Sequence, residues 1–200
     1  MLSIFFPTGL GYTLELHLVN ENESIPLLQD VYMQAVPTEH TQDSAGIEIC
    51  RNTKRLSNSL KEDPVYMAAL SEGKVKPADT DYVTARKVKV LYLLDNGGIK
   101  CDRDLTGAEL LFEDFTFPID ADCTPERVTK HNGATRVAEH LKLLQPQTSI
   151  LTHISTRYSG LHANTLLKDL IEKLGIPNAK DTNLIINKPN REVLNHDIAW

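Results

Sequence analysis

The stretch Ser149-Ile150-Leu151-Thr152-His153-Ile154-Ser155-Thr156-Arg157-Tyr158 decides how this chain is read. Ile150 and Leu151 follow a helix-like segment and read as a short buried strand. His153 stands where that strand runs out, with Ser155, Arg157 and Tyr158 behind it. In an open α/β sheet the carboxyl ends of the strands form the ligand crevice. A histidine there is either a metal ligand or base, or a capping or core residue. The rest of the chain has to decide between these.

Two more apolar segments precede it. Val88, Val90, Leu91, Leu93 and Leu94 form a near-continuous run, as in a strand buried on both faces, and the run ends at Asp95-Asn96-Gly97-Gly98. Glu109 to Phe112 reads as a second buried strand, ending at Glu113-Asp114. A helix is expected over residues 129–144, because Ala134, Val137, Ala138, Leu141 and Leu144 recur on one face. His131 and Asn132 then stand at its N-terminus. A second amphipathic helix uses Leu166, Leu167, Leu170, Ile171 and Leu174 and is closed by Gly175 and Pro177. A last strand is expected over Asn183 to Asn187, then a Lys188-Pro189-Asn190 turn and a frayed tail. Alternating strands and helices make the class α/β.

Upstream, residues 1–20 open on an apolar run into Pro7-Thr8-Gly9, and Tyr12 to Val19 reads equally as helix or strand. Val31, Met33 and Ala35 alternate with Tyr32 and Gln34, as in a half-buried strand. That strand leads into Pro37-Thr38-Glu39-His40-Thr41, and another strand starts at Ala45. His40 therefore lies on a strand-to-strand loop. Residues 51–85 differ from their surroundings. They are weakly apolar, with Pro64, Gly73 and Pro77 as breaks and about two helical turns over Val65 to Leu70. They read as a protruding arm with little core of its own.

Composition narrows the function classes. Two hundred residues suit one domain, and 41% hydrophobic and 24% charged residues are ordinary for a water-soluble chain. No apolar run reaches membrane-spanning length, and the N-terminal residues lack a signal peptide's basic lead. Cys50, Cys101 and Cys123 form neither a disulfide framework nor a C-x-x-C clip, so a reducing, cytoplasmic location is expected. The net charge of −6 is uneven. Arg51 to Lys89 holds nine basic and five acidic residues, net +4, leaving −10 on the remainder. Such a segment either forms a patch for phosphates or merely solvates an exposed insertion.

Asp95, Asp114 and His153 thus fall at the ends of three successive strands, and a helix start brings His131 to the same side. Imidazole and carboxylate are good zinc ligands, and a bound metal makes hydroxide from water at neutral pH. A further, non-ligating histidine can protonate a leaving group. That combination describes a metal-hydrolase site.

These residues resemble the second half of ribonuclease Z, the tRNA 3′-processing branch of the metallo-β-lactamase fold. The similarity rests on Leu151-Thr152-His153-Ile154-Ser155-Thr156-Arg157-Tyr158, on Asp95 after its strand, on the Leu110 to Phe117 run and on His131-Asn132-Gly133-Ala134. Spacings of 36 residues from Asp95 to His131 and 22 from His131 to His153 fit that family. Pro7-Thr8-Gly9-Leu10 resembles its mid-chain strand-turn, Thr38-Glu39-His40-Thr41 its histidine loop, and Asp63-Pro64-Val65-Tyr66 with Glu72-Gly73-Lys74 its tRNA-gripping arm. The resemblance implies an αββα sandwich and a centre of two Zn²⁺ ions. It makes His40, Asp95 and His153 metal ligands, with Asp95 bridging, and His131 the catalytic histidine with Asp114 as its carboxylate partner. It assigns RNA contacts to Lys54, Arg55, Lys61, Lys74 and Lys76 of the arm, a tRNA precursor as partner, and a homodimer as the complete form.

Three departures stand out. The family has His-Glu-Ala-Thr where this chain has Glu113-Asp114-Phe115-Thr116, Gly-His-Ser-Thr where it has Lys130-His131-Asn132-Gly133, and Gly-Pro where it has Asp63-Pro64. The family's His-x-His-x-Asp-His motif occurs nowhere in these residues. The chain opens as if mid-fold and is therefore read as a partial domain, a fragment or an incomplete copy. Two other functions remain open: a cyclic-nucleotide phosphodiesterase of the same fold, and a catalytically dead paralogue that only binds RNA or oligomerises.

Overall fold

The computed structural model describes residues 23–40, 44–128, 130–175, 182–187 and 193–198. Strands β1 (Ser24–Leu28), β2 (Val31–Pro37) and β3 (Ala45–Leu56) form an antiparallel meander. Short helices α1 (Asn58–Lys61) and α2 (Pro64–Ser71) follow. Strand β4 (Tyr82–Leu93) then returns antiparallel along β3. β5 (Leu110–Asp114), helices α3 (Pro125–Val128) and α4 (Ala134–Leu144), β6 (Thr148–Thr152), α5 (Ala163–Leu174) and β7 (Thr182–Asn187) complete a parallel half. β8 (Val193–Ile198) closes it antiparallel to β7. All eight strands lie in one sheet, in sequence order. The described residues thus supply one sheet and one helical layer of mixed α/β structure.

The helical layer exists because α4 and α5 each carry an apolar stripe. Val137, Ala138, Leu141 and Leu144 of α4 and Leu166, Leu167, Leu170 and Leu174 of α5 pack with Leu91, Leu93, Leu111 and Leu151 from the sheet in one buried cluster. Fully burying a side chain of this size stabilises by roughly 1.5–3 kcal/mol. α5 stops at Gly175, whose φ of 71° closes the helix in the left-handed region. The opposite face of the sheet is different. Ile47 pairs with Tyr92, and Tyr92 with Phe112, along one row of that face. Ile47 and Tyr92 are 38% and 43% exposed.

Several sequence expectations are corrected here. β4 was expected to be buried on both faces, but it buries only the face of Val88, Leu91 and Leu93. The helix expected over 129–144 begins at Ala134, because Gly133 is its extended N-cap and His131 to Gly133 run as a loop along Phe117. The tail expected to fray forms β8, since Val193 to Ile198 find the open edge of β7. Residues 1–20 and the expected Lys188-Pro189-Asn190 turn lie outside the described residues.

Residues 51–85 carry a longer regular structure than their composition suggested. β3 and β4 continue past the body as a two-stranded ribbon, pairing Arg51 with Lys87 through to Leu56 with Tyr82. α1, α2 and a 3₁₀ turn over Asp79–Asp81 sit at its end. Asp63 caps α2 by accepting from Val65 N at 2.9 Å and Tyr66 N at 3.1 Å, with Pro64 at the first helical position. No residue from Arg51 to Lys87 is buried. No helix among the described residues is long and apolar enough to cross a membrane.

Candidate metal centre

The three parallel strands β4, β5 and β6 end almost level. Leu93 pairs with Glu113, and Glu113 with Leu151. The residues just beyond that line, Asp95, Asp114 and His153, therefore emerge on one rim. Two of them do so at a cost to the backbone. Asp95 has φ 51° and His153 has φ 62°, the left-handed region that non-glycine residues rarely occupy. Such strain costs on the order of 1–3 kcal/mol per residue and collects at functional sites.

His131 joins them from the loop before α4. That loop is held by Phe117 N donating to Asn132 O at 3.1 Å and by His131 N donating to Arg127 O at 2.9 Å. His40 comes from the loop after β2. Glu39 N donates to Gly98 O at 2.8 Å, Lys100 N donates to Pro37 O at 2.8 Å, and Gly97 N donates to Glu39 O. The His40 loop is thereby fastened to the loop that carries Asp95. Arg136 of α4 clamps the same place by donating to Gly97 O at 2.8 Å. A Cβ at Gly98 would meet Arg136 Nη1 at 2.6 Å and Glu39 Oε2 at 3.1 Å, so any larger residue there displaces the Arg136 clamp.

The result is a compact donor set. Asp95, Asp114, His131 and His153 each offer one ligand atom, and the four atoms lie within 4.8 Å of one another. His153 Nε2 is 3.3 Å and His131 Nδ1 3.7 Å from Asp95 Oδ1. His40 stands at the edge, its Nε2 3.9 Å from Asp95 Oδ1 and its ring centre 5.2 Å from that of His131. All five residues singled out from the sequence therefore meet in space. Mixed imidazole and carboxylate donors at this separation fit a zinc ion.

Asp114 differs from the rest in being wholly buried. Its Oδ1 accepts from Thr116 N at 2.9 Å and Thr116 Oγ1 at 2.7 Å. Its Oδ2 lies 3.2 Å from Nδ1 of both His131 and His153. With both oxygens occupied, Asp114 orients imidazoles better than it ligates. Holding each Nδ1 leaves each Nε2 free as a donor to a metal or a proton carrier. Burial pushes its carboxyl up, but the hydrogen bonds from His153, Thr116 and His131 outweigh it and leave the group below the usual carboxylate range. The same bond from Asp114 raises His153, against partial burial and with help from the charges of Asp114 and Asp95.

Thr116, Asn96, Glu113 and His140 have no role in the sequence reading. Asn96, Glu113 and Asn132 are each next in the chain to a site residue and fully buried. His140 falls within the apolar stripe of α4, the one signal that could have marked it. Burial drives the Glu113 carboxyl above its ordinary value, opposed by the charge and hydrogen bond of His140.

Solved structures resemble the chain, among them the following two. A diphosphatase from the PhnP family is 19% identical over 70% of this chain, with a TM-score of 0.38. The metallo-β-lactamase fold protein YhfI from Bacillus subtilis is 12% identical over 88% of this chain, with a TM-score of 0.45. This chain spans 38% and 54% of the lengths of those two. No protein-family model matches it. No curated protein matches it either.

Proposed function

We propose that this chain carries part of a zinc-dependent phosphodiesterase of the metallo-β-lactamase type, acting as an endoribonuclease on tRNA precursors in the manner of ribonuclease Z. The observation that carries the proposal is the convergence of Asp95, Asp114, His131 and His153 within 4.8 Å at the ends of adjoining parallel strands. Bound zinc would supply a hydroxide nucleophile and neutralise phosphate charge. His40, Asp95 and His153 are the residues to hold it. Asp114 keeps the His131 ring in place, and His131 carries the proton to the leaving oxygen.

A two-zinc centre needs more ligands than His40, Asp95 and His153. The His-x-His-x-Asp-His motif that the resemblance calls for does not occur in the sequence. The 200-residue chain should therefore bind zinc weakly and cleave a tRNA precursor negligibly on its own. Cleavage should appear when a polypeptide bearing that motif is joined to it or mixed in, and should vanish with His153→Ala. Robust turnover by this chain alone would contradict the incomplete-site reading, and no turnover in the zinc-loaded mixture would contradict the activity.

The arm is the reason to prefer tRNA over a small cyclic nucleotide, which has no use for it. Lys54, Arg55, Lys61, Lys74 and Lys76 are all exposed on it. Its charge is more modest than the sequence count suggested. Arg86 pairs with Glu48, and Lys87 and Lys89 with Glu109 at 2.7 and 2.6 Å, so three of the nine cations serve the arm's base. Residues 51–85 then hold six basic and five acidic side chains, net +1. Lys54 and Lys74 also have acidic neighbours, Asp79 at 3.6 Å and Glu72 at 2.5 Å. Replacing residues 57–81 by a tight turn should weaken tRNA binding and flatten its salt dependence while leaving zinc uptake unchanged. Equal tRNA affinity with and without the arm would remove RNA from its role, and displacement of tRNA by a cyclic nucleotide would favour the smaller substrate.

A further inference from the structure

Behind the metal-binding rim lies a second layer of polar side chains. It is built from the chain neighbours of the site residues: Asn96 after Asp95, Glu113 before Asp114 and Asn132 after His131. Asn132 Nδ2 donates to Glu113 Oε1 at 2.6 Å and to Asn96 Oδ1 at 3.2 Å. Asn96 Nδ2 donates to Leu93 O at 2.5 Å, at the end of β4. His140, reaching in from α4, places Nδ1 3.1 Å from the same Glu113 oxygen. The layer ties together the loop after β4, the end of β5, the loop before α4 and α4 itself. Those are the segments that set where Asp95, Asp114 and His131 stand.

The layer is not optimised as packing. Glu113 Oε2 and Asn132 Oδ1 are buried without a hydrogen-bond partner among the described residues. Apolar side chains of the same size would avoid that cost. Positions 113 and 132 also fall in two of the motifs where this chain departs from the family it resembles, and here their side chains touch.

We propose that Asn132, Glu113 and His140 are positioning residues that hold the Asp95 and His131 loops at the separation a metal ion requires. This rests on reading the rim as a metal centre. A carboxylate at 113 gives Asn132 its acceptor, Asn132 fixes the turn next to His131, and Asn96 carries the restraint to Asp95. None of the three needs to touch the ion.

The test titrates Zn²⁺ alone into the full chain by calorimetry, alongside thermal unfolding and ring-nitrogen spectra of the metal-free protein. Asn132→Ala and Glu113→Ala should each weaken zinc binding about tenfold or more. The double variant should be no worse than the weaker single, because both break one linkage. Glu113→Gln keeps an oxygen for Asn132 and should stay close to native affinity. Leu144→Ala, buried in the same core, should lower the unfolding temperature and leave zinc affinity alone. Asn132→Ala binding within twofold of native overturns the proposal, and so does an equal loss in Leu144→Ala. Should Glu113→Ala fail to fold, Asn132→Ala carries the comparison. If the native chain takes up no zinc, the metal reading falls, and the spectra decide the positioning role separately. His131 should then show one tautomer in the native protein and a mixture in Asn132→Ala, and an unchanged His131 spectrum sinks it.

Discussion

Asp114→Asn should leave the chain folded and strip it of zinc affinity. The substitution is close to isosteric, so the effect follows from the lost negative charge and from the exchange of an acceptor for a donor. Thr116 presents two donors to Oδ1, from its N at 2.9 Å and its Oγ1 at 2.7 Å, which obliges the asparagine to keep its oxygen there. The new amide then replaces Oδ2 and faces Nδ1 of His131 and of His153, each at 3.2 Å. The amide nitrogen only donates, so both rings are pushed to accept at Nδ1 and carry their proton on Nε2, at His153 against Thr116 Oγ1, which stands 2.9 Å from the same Nδ1 and can accept there. For His153, Nε2 is the nitrogen turned toward Asp95 Oδ1 at 3.3 Å. A protonated Nε2 cannot ligate. Losing one such orienting partner costs roughly 10–100-fold in metal affinity, and Asp114 serves two rings. Calorimetric titration of zinc into the Asp114→Asn chain reads this directly. Native-like affinity would mean that the rings are held by something other than Asp114.

Glu48→Gln should be the most destabilising conservative change outside the site. Glu48 is wholly buried in β3. Arg103 Nε lies 3.0 Å from its Oε1, and Arg86 Nη2 donates to its Oε2. Arg103 also donates to Ala35 O, and Arg86 Nη1 to Asp104 O at 2.5 Å. One carboxylate thus ties β2, β3, β4 and the segment around Asp104 together at the base of the arm. Removing the negative charge leaves two largely covered guanidinium groups facing a neutral amide. Breaking a buried pair in this way costs roughly 3–5 kcal/mol, a large share of a single domain's stability. The buried cluster is not itself a large net stabiliser, because desolvating three charges offsets most of their attraction. A denaturant midpoint that moves by less than the equivalent of about 1 kcal/mol would contradict the account.

Those two residues mark the limits of what the sequence could show. Asp114 was legible because an apolar run ended on it, and strand ends in a parallel sheet face one way. Asp95 and His153 were legible for the same reason, and His40 through its place between two alternating segments. Glu48 was not. It sits in an alternating strand, and its partners lie 38 and 55 residues away. Local pattern carries no information about such contacts. The Glu113–Asn132–His140 layer is hidden similarly, since each member reads locally as part of a strand, a helix start or an apolar stripe. The continuation of β3 into a ribbon escaped because Arg51 to Leu56 pair with Tyr82 to Lys87 rather than bury a face. β8 escaped because edge pairing with β7 overrides its weak local preference.

The central claim is that His40, Asp95 and His153 gather to hold a metal ion, with His131 beside them. The most direct measurement is a zinc titration of the native chain that follows the ring nitrogens of its seven histidines. His153 and His40 should move as ligands and His131 less, as their neighbour. His140, occupied with Glu113, and His162, at the start of α5, should stay still. Zinc that leaves His40 and His153 unmoved, or that moves His140 or His162 first, would contradict the claim.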